Sequence, residues 1–317
     1  MAIEQTTATD TLLSVRGLRV GRGDNVVLDG VDIQIRAGEI FGIVGPARSG
    51  KTALLETLIG LRPPLTGTVS LLGNSNPASL EVRQHVGSAL RPSTVERRTT
   101  VEEVLGLSAS LYNHHTDVDR LIRDVGLSAL RTTYREKLAP HELARLSLAM
   151  GLVSDPKVLF ADEPTRELDP AGRQEMWELL RARRNAGMAI VLSTNLMDEA
   201  ERLCDRVAIL GNGRVLAVDT PLGLVSAGGT PGRMVVETAE PVPVNMFNRL
   251  PGVENVTVDG TVARLIVTDP VPALQAVASM LLGAGLKLRG LRLAHCTLED
   301  RFVELMRVSA GRPASEA

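Results

Sequence analysis

Gly45-Pro46-Ala47-Arg48-Ser49-Gly50-Lys51-Thr52 fits G-x-x-x-x-G-K-[ST] at every fixed position and follows the apolar run Ile40-Phe41-Gly42-Ile43-Val44. A buried strand ending in such a loop, with a helix opening at Ser49 or Gly50, makes a phosphate cradle. The glycines let backbone N–H groups turn toward one point, and the helix N-terminus adds partial positive charge there. Gly45, Pro46, Ala47, Arg48, Ser49 and Gly50 would then wrap the phosphates. Lys51 would reach the terminal ones and the Thr52 hydroxyl would ligate Mg²⁺. A glycine-bearing surface turn could share these letters, but it lacks the strand before them and the helix after them. The loop implies binding of a nucleoside triphosphate.

Working outward, residues 11–36 alternate apolar and polar through Leu13, Val15 and Leu18 and again through Val27, Val31, Ile33 and Ile35, the two-residue period of half-buried strands. Thr52 to Gly60 has a helical pattern stopped by Arg62-Pro63-Pro64, and Val69 to Gly73 reads as a short strand and turn. Amphipathic helices are predicted at Val101–Leu111 and Val118–Val125. Beyond Lys157, strands at Val158–Ala161 and Met188–Leu192 flank a helix near 171–185, followed by short strands at Arg206–Leu210 and Arg214–Val218. Strands alternating with helices predict an α/β fold with a parallel sheet.

Gly228-Gly229-Thr230-Pro231-Gly232 breaks the pattern and marks a domain boundary. After it the order is strand (Met234–Glu237), helix (Val244–Leu250), strand (Val253–Val258), an Asp259-Gly260 turn, strand (Val262–Val267), helix (Val271–Gly283) and strand (Leu286–Leu291). That order predicts a ferredoxin-like α+β domain. A helix over Leu298–Val308 closes it. The expected domains are therefore 11–220, a linker at 221–232, 233–308, and a disordered tail at 309–317.

The chain of 317 residues is long enough for two domains, and 35 Lys plus Arg against 37 Asp plus Glu leave no basic excess to attract nucleic acid. Cys204 and Cys296 have no metal or redox spacing and read as small buried residues. Trp177, the single tryptophan, reads as packing. The N-terminus carries Glu4 and no apolar signal core, and no apolar run reaches the roughly 18 residues of a membrane span. Any membrane role is expected to pass through a partner.

Val158-Leu159-Phe160-Ala161-Asp162-Glu163-Pro164 is an apolar strand ending in two carboxylates. Alone, such a pair is a solvated loop or a helix cap. With the phosphate loop upstream, Asp162 is expected to hold Mg²⁺, directly or through water, and Glu163 to polarise an attacking water. Together with Leu28-Asp29-Gly30-Val31, Gly38-Glu39-Ile40, Asp155-Pro156-Lys157, Leu168-Asp169-Pro170 and Met197 to Arg206, these segments resemble the nucleotide-binding subunit of an ABC transporter. The match covers residues 11–220. The remainder, with Thr297-Leu298-Glu299-Asp300-Arg301-Phe302, resembles the accessory domain of the drug-resistance type of ABC-2 exporter ATPases. The resemblance implies a P-loop ATPase domain with antiparallel β and helical subdomains, followed by the ferredoxin-like domain. It implies ATP and Mg²⁺ as ligands, and as partners an integral-membrane permease and a second ATPase subunit, identical or different. It places the chain in the cytoplasm at the inner face of the membrane.

Four positions depart from the family pattern. The signature loop, Leu-Ser-Gly-Gly-Gln in the family, is Leu138-Ala139-Pro140-His141-Glu142. Ala139 has no hydroxyl, Pro140 has no N–H, and His141 adds bulk where backbone must approach phosphate. The switch-histidine position is Asn195, whose amide can still donate to phosphate. Arg91 stands at the Q-loop glutamine position, and Arg22 or Val20 where a base-stacking aromatic is expected. The four together imply a degenerate nucleotide site. Two readings remain open: an exporter ATPase of impaired rate, and a non-hydrolysing regulatory subunit of a heteromeric complex.

Overall fold

Alternating burial in residues 11–36 follows from two long antiparallel strands, β1 (Thr11–Arg22) and β2 (Asn25–Arg36). The computed structural model describes residues 11–22, 25–90, 98–227, 232–247, 250–267, 270–294 and 297–310. Leu13, Val15, Leu18 and Val20 of β1 are buried with Leu28, Val31, Ile33 and Ile35 of β2. The step from Val15 to Leu18 breaks the two-residue period because the register shifts there, around Gly17 at φ 54°. Leu28 rather than Val27 is the fully buried residue, and Val27 is half-buried.

The chain continues through β3 (Ile40–Val44), α1 (Lys51–Leu58), β4 (Thr66–Leu71), α2 (Leu80–Arg83) and β5 (Val86–Ala89). β4 joins β1 to complete a sheet of order β2-β1-β4. A helical segment follows: α3 (Val101–Ser110), α4 (Val118–Asp124) and α5 (Pro140–Leu152). Thr100 and Glu103 form a capping box on α3, each side chain accepting from the other's N–H. Next come β6 (Val158–Asp162), α6 (Pro170–Asn185), β7 (Ala189–Thr194), α7 (Met197–Leu203), β8 (Arg206–Gly211) and β9 (Arg214–Asp219).

The central sheet has the order β5-β6-β7-β3-β8-β9, with β5 to β8 parallel and β9 antiparallel to β8. Every residue of β3, β6 and β7 is buried, as expected of parallel strands covered on both faces. Parallel strands end on the same side. Val44 pairs with Thr194 and Asp162 pairs with Ser193, so the loop after β3, the carboxylates after β6 and the residues after β7 share one sheet edge. That edge is where open α/β sheets hold their ligands.

The second compact unit is Leu222–Val308. Residues 221–227, expected as linker, form helix α8 (Pro221–Ala227) with Leu224 buried. Proline at its first position gives up only an N–H that has no helical partner there. β10 (Gly232–Thr238), β11 (Val253–Asp259), β12 (Val262–Val267), α9 (Pro270–Gly283), β13 (Leu288–Ala294) and α10 (Leu298–Ala310) complete the chain. The sheet, of order β11-β12-β10-β13, is antiparallel throughout and has the ferredoxin-like topology. Its first helix departs from expectation. Of the expected Val244–Leu250, the described residues form a 3₁₀ turn, Val244–Met246, followed by a turn residue at Phe247, and residues 248–249 lie outside the described residues. The hairpin loop is Gly260-Thr261, with Gly260 at φ 59°, one residue later than the Asp259-Gly260 turn expected. Met234, Val236, Phe247, Leu265, Val267 and Val277 are among the residues of this unit's own core. Residues 311–317, within the expected tail, lie outside the described residues, as does Cys296.

Candidate functional site

At the end of β3 the chain cannot carry a side chain. A Cβ on Gly45 would sit 2.5 Å from the Leu210 carbonyl oxygen and 2.6 Å from Ser49 Oγ. Arg48 (φ 66°) and Gly50 (φ 103°) take left-handed backbone and fold the loop back onto the start of α1. No side chain caps α1 and no acidic residue lies in its first turn. The Ser49 hydroxyl is buried without a hydrogen-bond partner. A buried orphan hydroxyl, an uncapped helix start and a glycine packed against backbone are what a phosphate-binding loop requires.

Lys51 is 6 % exposed, and its ammonium fills its shell from within the protein. Nζ donates to Gly45 O (2.8 Å), Pro46 O (3.0 Å) and Asn195 Oδ1 (2.7 Å), all three of its N–H bonds. Burial pushes its pKa down, opposed by the nearby Glu163 and Asp162 carboxylates. Incoming phosphate oxygens would substitute for these acceptors. Thr52 Oγ1 donates to Asp162 Oδ2 at 2.9 Å, and Ser193 Oγ donates to Asp162 Oδ1. Thr52 and Asp162 are thus already in contact, as a shared Mg²⁺ site needs. Among the described residues no cluster of three or more His, Cys, Asp or Glu could hold a metal ion. An ion here would take the rest of its shell from phosphate and water, the usual habit of Mg²⁺.

Glu163 follows β6 with φ 50°, its N–H bonded to the Ser193 carbonyl at 3.0 Å. Its carboxylate is engaged at both oxygens. Asn195 Nδ2 donates to Oε1, and Arg166 Nη1 donates to Oε2 at 2.7 Å. Only with Oδ1 toward Lys51 and Nδ2 toward Glu163 are both Asn195 contacts attractive, which fixes the orientation of the amide. Lys51, Asn195, Glu163 and Arg166 therefore form one continuous chain of polar contacts along the sheet edge.

Of the residues singled out from sequence, Gly45 to Thr52, Asp162, Glu163 and Asn195 meet in this site. Arg91 lies outside the described residues, as does the Arg22 side chain. Val20 is fully buried in the core and cannot face a base, which removes it as the substitute for the aromatic. Ala139 precedes α5 with no side-chain cap. Its N–H donates to Glu142 Oε2 at 2.7 Å, and Pro140 holds the first helical position. The helix is kept while the serine hydroxyl and the N–H at position 140 are lost. Asp169 caps α6 through Gly172 N at 2.8 Å.

Ser193 and Arg166 went unread in the sequence. Ser193 is legible only through the pairing of β6 with β7, although a cation three residues after Glu163 was a local signal for Arg166. Glu199 is a third such residue. It is 1 % exposed, and its Oε1 accepts from Thr165 Oγ1 (2.5 Å) and Trp177 Nε1 (3.0 Å), tying α6 and α7 to the turn behind Glu163. Trp177 is buried, as expected of a packing residue. A cavity of 520 Å³, lined among others by Asp162, Glu163, Arg166, Pro140 and Ser147, opens beside the carboxylates.

Comparison with known proteins agrees with this geometry. The ABC transporter family matches residues 28–166. The Nod factor export ATP-binding protein I of Burkholderia lata is 36% identical over 295 residues, covering 89% of this chain and 93% of that protein. A solved structure described as the ATP binding subunit of an ABC transporter superposes with a TM-score of 0.63 at 27% identity, over 69% of this chain and 94% of that one. cbiO1 from Clostridium perfringens, described as part of the ABC transporter complex cbiONQ, gives a TM-score of 0.59 at 25% identity, over 69% and 92% of the two chains. The phosphate loop, the Thr52–Asp162 contact and these likenesses together make the chain a member of the ABC transporter family of ATP-binding proteins.

Proposed function

We propose that the chain is the ATP-hydrolysing subunit of an ABC-2-type exporter, working with a separate integral-membrane permease and a second ATPase subunit. The observation that carries this reading is the convergence of Lys51, Thr52, Asp162 and Glu163 on one sheet edge. Export is supported by the name of the Burkholderia relative; the cargo proposed is a drug, after the resemblance to drug-resistance ATPases, or a lipid or polysaccharide. Among the described residues no helix is long and apolar enough to cross a membrane.

Phosphates enter the loop, replacing the Gly45, Pro46 and Asn195 oxygens on Lys51, while Ser49 Oγ gains a partner. Mg²⁺ held by Thr52 and Asp162 would neutralise charge developing on the phosphoryl oxygens. Glu163 takes a proton from water as the water oxygen bonds to the γ-phosphorus and the bond to the ADP oxygen breaks. Asn195, released from Lys51, can turn its amide donor to the same phosphoryl group.

The altered signature loop sets the expected rate. In a pair of identical subunits both sites would be closed by Ala139-Pro140-His141, which supplies neither the serine hydroxyl nor an N–H at position 140 to the transferring group. Turnover by the full chain alone is expected to fall well below roughly 10 s⁻¹, the middle of the enzyme range. Restoring Ser-Gly-Gly at 139–141 is expected to raise it about tenfold or more, read as phosphate release. An unchanged rate that stays undetectable favours the second reading, a non-hydrolysing regulatory subunit, for which Pro140 and Asn195 speak. We further propose pairing with a cassette whose signature loop is intact. This chain's phosphate loop and Glu163 would then face the partner's serine and glycines.

The second unit is proposed to serve pairing or coupling rather than catalysis, because its core is its own and it contributes no phosphate motif. A chain ending near Gly229 is expected to bind MgATP within about twofold of full length. Loss of binding on truncation, seen by calorimetry in a protein that still melts cooperatively, would place the unit inside the site.

A further inference from the structure

Glu199 is a carboxylate at 1 % exposure that the proposed mechanism does not use. It lies in the first turn of α7, and its Oε1 accepts from Thr165 Oγ1 at 2.5 Å and Trp177 Nε1 at 3.0 Å. Both donors are neutral, and Oε2 is buried with no hydrogen-bond partner. Burying a half-satisfied carboxylate is costly, and an apolar side chain of similar length would fill the space more cheaply. The compensation lies in what its bonded oxygen holds.

Thr165 is fully buried and stands in the turn that follows Glu163, whereas Glu199 stands one helical turn beyond Asn195. The segments after β6 and β7 are therefore joined twice. In front, Asn195 Nδ2 donates to Glu163 Oε1; behind, Thr165 Oγ1 donates to Glu199 Oε1. The two joints differ in fate. When phosphate replaces Asn195 on Lys51 and the asparagine amide turns to the phosphoryl group, the front joint opens. The rear joint makes no bond to the phosphate loop and is closed to water, and Trp177 steadies its shared oxygen from α6.

The backbone of Glu163 needs such an anchor. Its φ of 50° is a left-handed conformation that a residue with a side chain keeps only when its surroundings fix it. On the strand side its N–H is held by the Ser193 carbonyl at 3.0 Å. On the other side, the first side-chain hydrogen bond along the turn is the one from Thr165 to Glu199.

Resting on the reading of Glu163 as general base, we infer that Glu199 is a positioning residue. Its buried carboxylate, clamped on the Thr165 hydroxyl, keeps the turn that carries Glu163 in place beside the Asn195 segment once the front joint has opened. Glu199 itself touches neither nucleotide nor water.

The test uses the full chain with MgATP, reading affinity by calorimetry and hydrolysis under single-turnover conditions at saturating ATP. Thr165→Val keeps the shape and loses the hydroxyl, and is expected to lower the rate about tenfold with ATP affinity unchanged. Thr165→Ser keeps the hydroxyl and loses a buried methyl, so its rate should stay within about twofold of wild type while its melting temperature falls. A packing role gives the reverse order, since valine fills the space and serine does not. Glu199→Met, of similar length but without an acceptor, should be as slow as Thr165→Val, and the double variant no slower than either, because both remove one bond. Should Glu199→Met fail to melt cooperatively, the Thr165 pair decides.

A wild-type rate in Thr165→Val, or a slower rate in Thr165→Ser than in Thr165→Val, overturns the positioning role. A double variant in which the two losses multiply overturns it as well. Glu163→Gln separates this from the reading beneath it. If that variant hydrolyses ATP as wild type does, Glu163 is not the base and both inferences fall. If it is inactive while Thr165→Val is unimpaired, only the positioning role falls. A wild type that hydrolyses no ATP in a single turnover overturns both.

Discussion

Glu163→Gln lowers ATP hydrolysis by roughly 100-fold or more, the usual weight of a general base, when measured in the chain carrying Ser-Gly-Gly at 139–141 or in an assembled pair with an intact cassette. Those backgrounds matter because the unaltered chain is expected to be slow already. The exchange is nearly isosteric: Oε1 can still accept from Asn195, and only the contact to Arg166 turns from attraction to donor against donor. Folding and ATP affinity should therefore persist while the rate falls, a loss made only in the transition state. If the assembled pair hydrolyses ATP equally well with the Glu163→Gln change in place, Glu163 is not the working base, and the productive site must use the partner's carboxylate.

Lys51→Ala is expected to weaken MgATP binding at least tenfold in calorimetry, about 1.4 kcal/mol or more. Lys51 is the buried cation of the loop, and its charge is held by the loop's own carbonyls. Its three donors now satisfy Gly45 O, Pro46 O and Asn195 Oδ1, and a β- or γ-phosphate would accept in their place. The substitution also takes the lysine donor from those three acceptors, Pro46 O keeping the Ser49 N–H at 3.2 Å, so a lower melting temperature is expected alongside weaker binding. Equal affinity for wild type and variant, with the variant folded, would mean that the phosphates do not enter this loop.

How far the site could be read in advance depended on how local its determinants are. The phosphate loop is a run of eight residues whose glycines, lysine and threonine act through their own backbone and reach, so Gly45, Gly50, Lys51 and Thr52 were legible. Asp162 and Glu163 were legible because an apolar strand ending in carboxylates can present them only at its tip. The helices at 101–110 and 118–124 and the strands of both units follow from apolar periodicity, which is a property of neighbours in sequence. The first helix of the second unit was misread for the same reason: an apolar period was present, but the described residues form only the 3₁₀ turn Val244–Met246 there.

By itself, then, the sequence determined the chemistry available: a phosphate loop, a paired carboxylate, an asparagine in place of histidine, and a signature helix without the serine hydroxyl or the N–H at position 140. The tertiary structure alone decided which of these groups touch. Ser193 reaches Asp162 because β7 lies parallel and in register beside β6, a pairing across 31 residues that no local pattern encodes. Asn195 bridges Lys51 and Glu163 because β3, β6 and β7 are adjacent and all end on the same edge. Contacts of that kind depend on strand order, and strand order is set by how the whole core packs rather than by any stretch of residues within it.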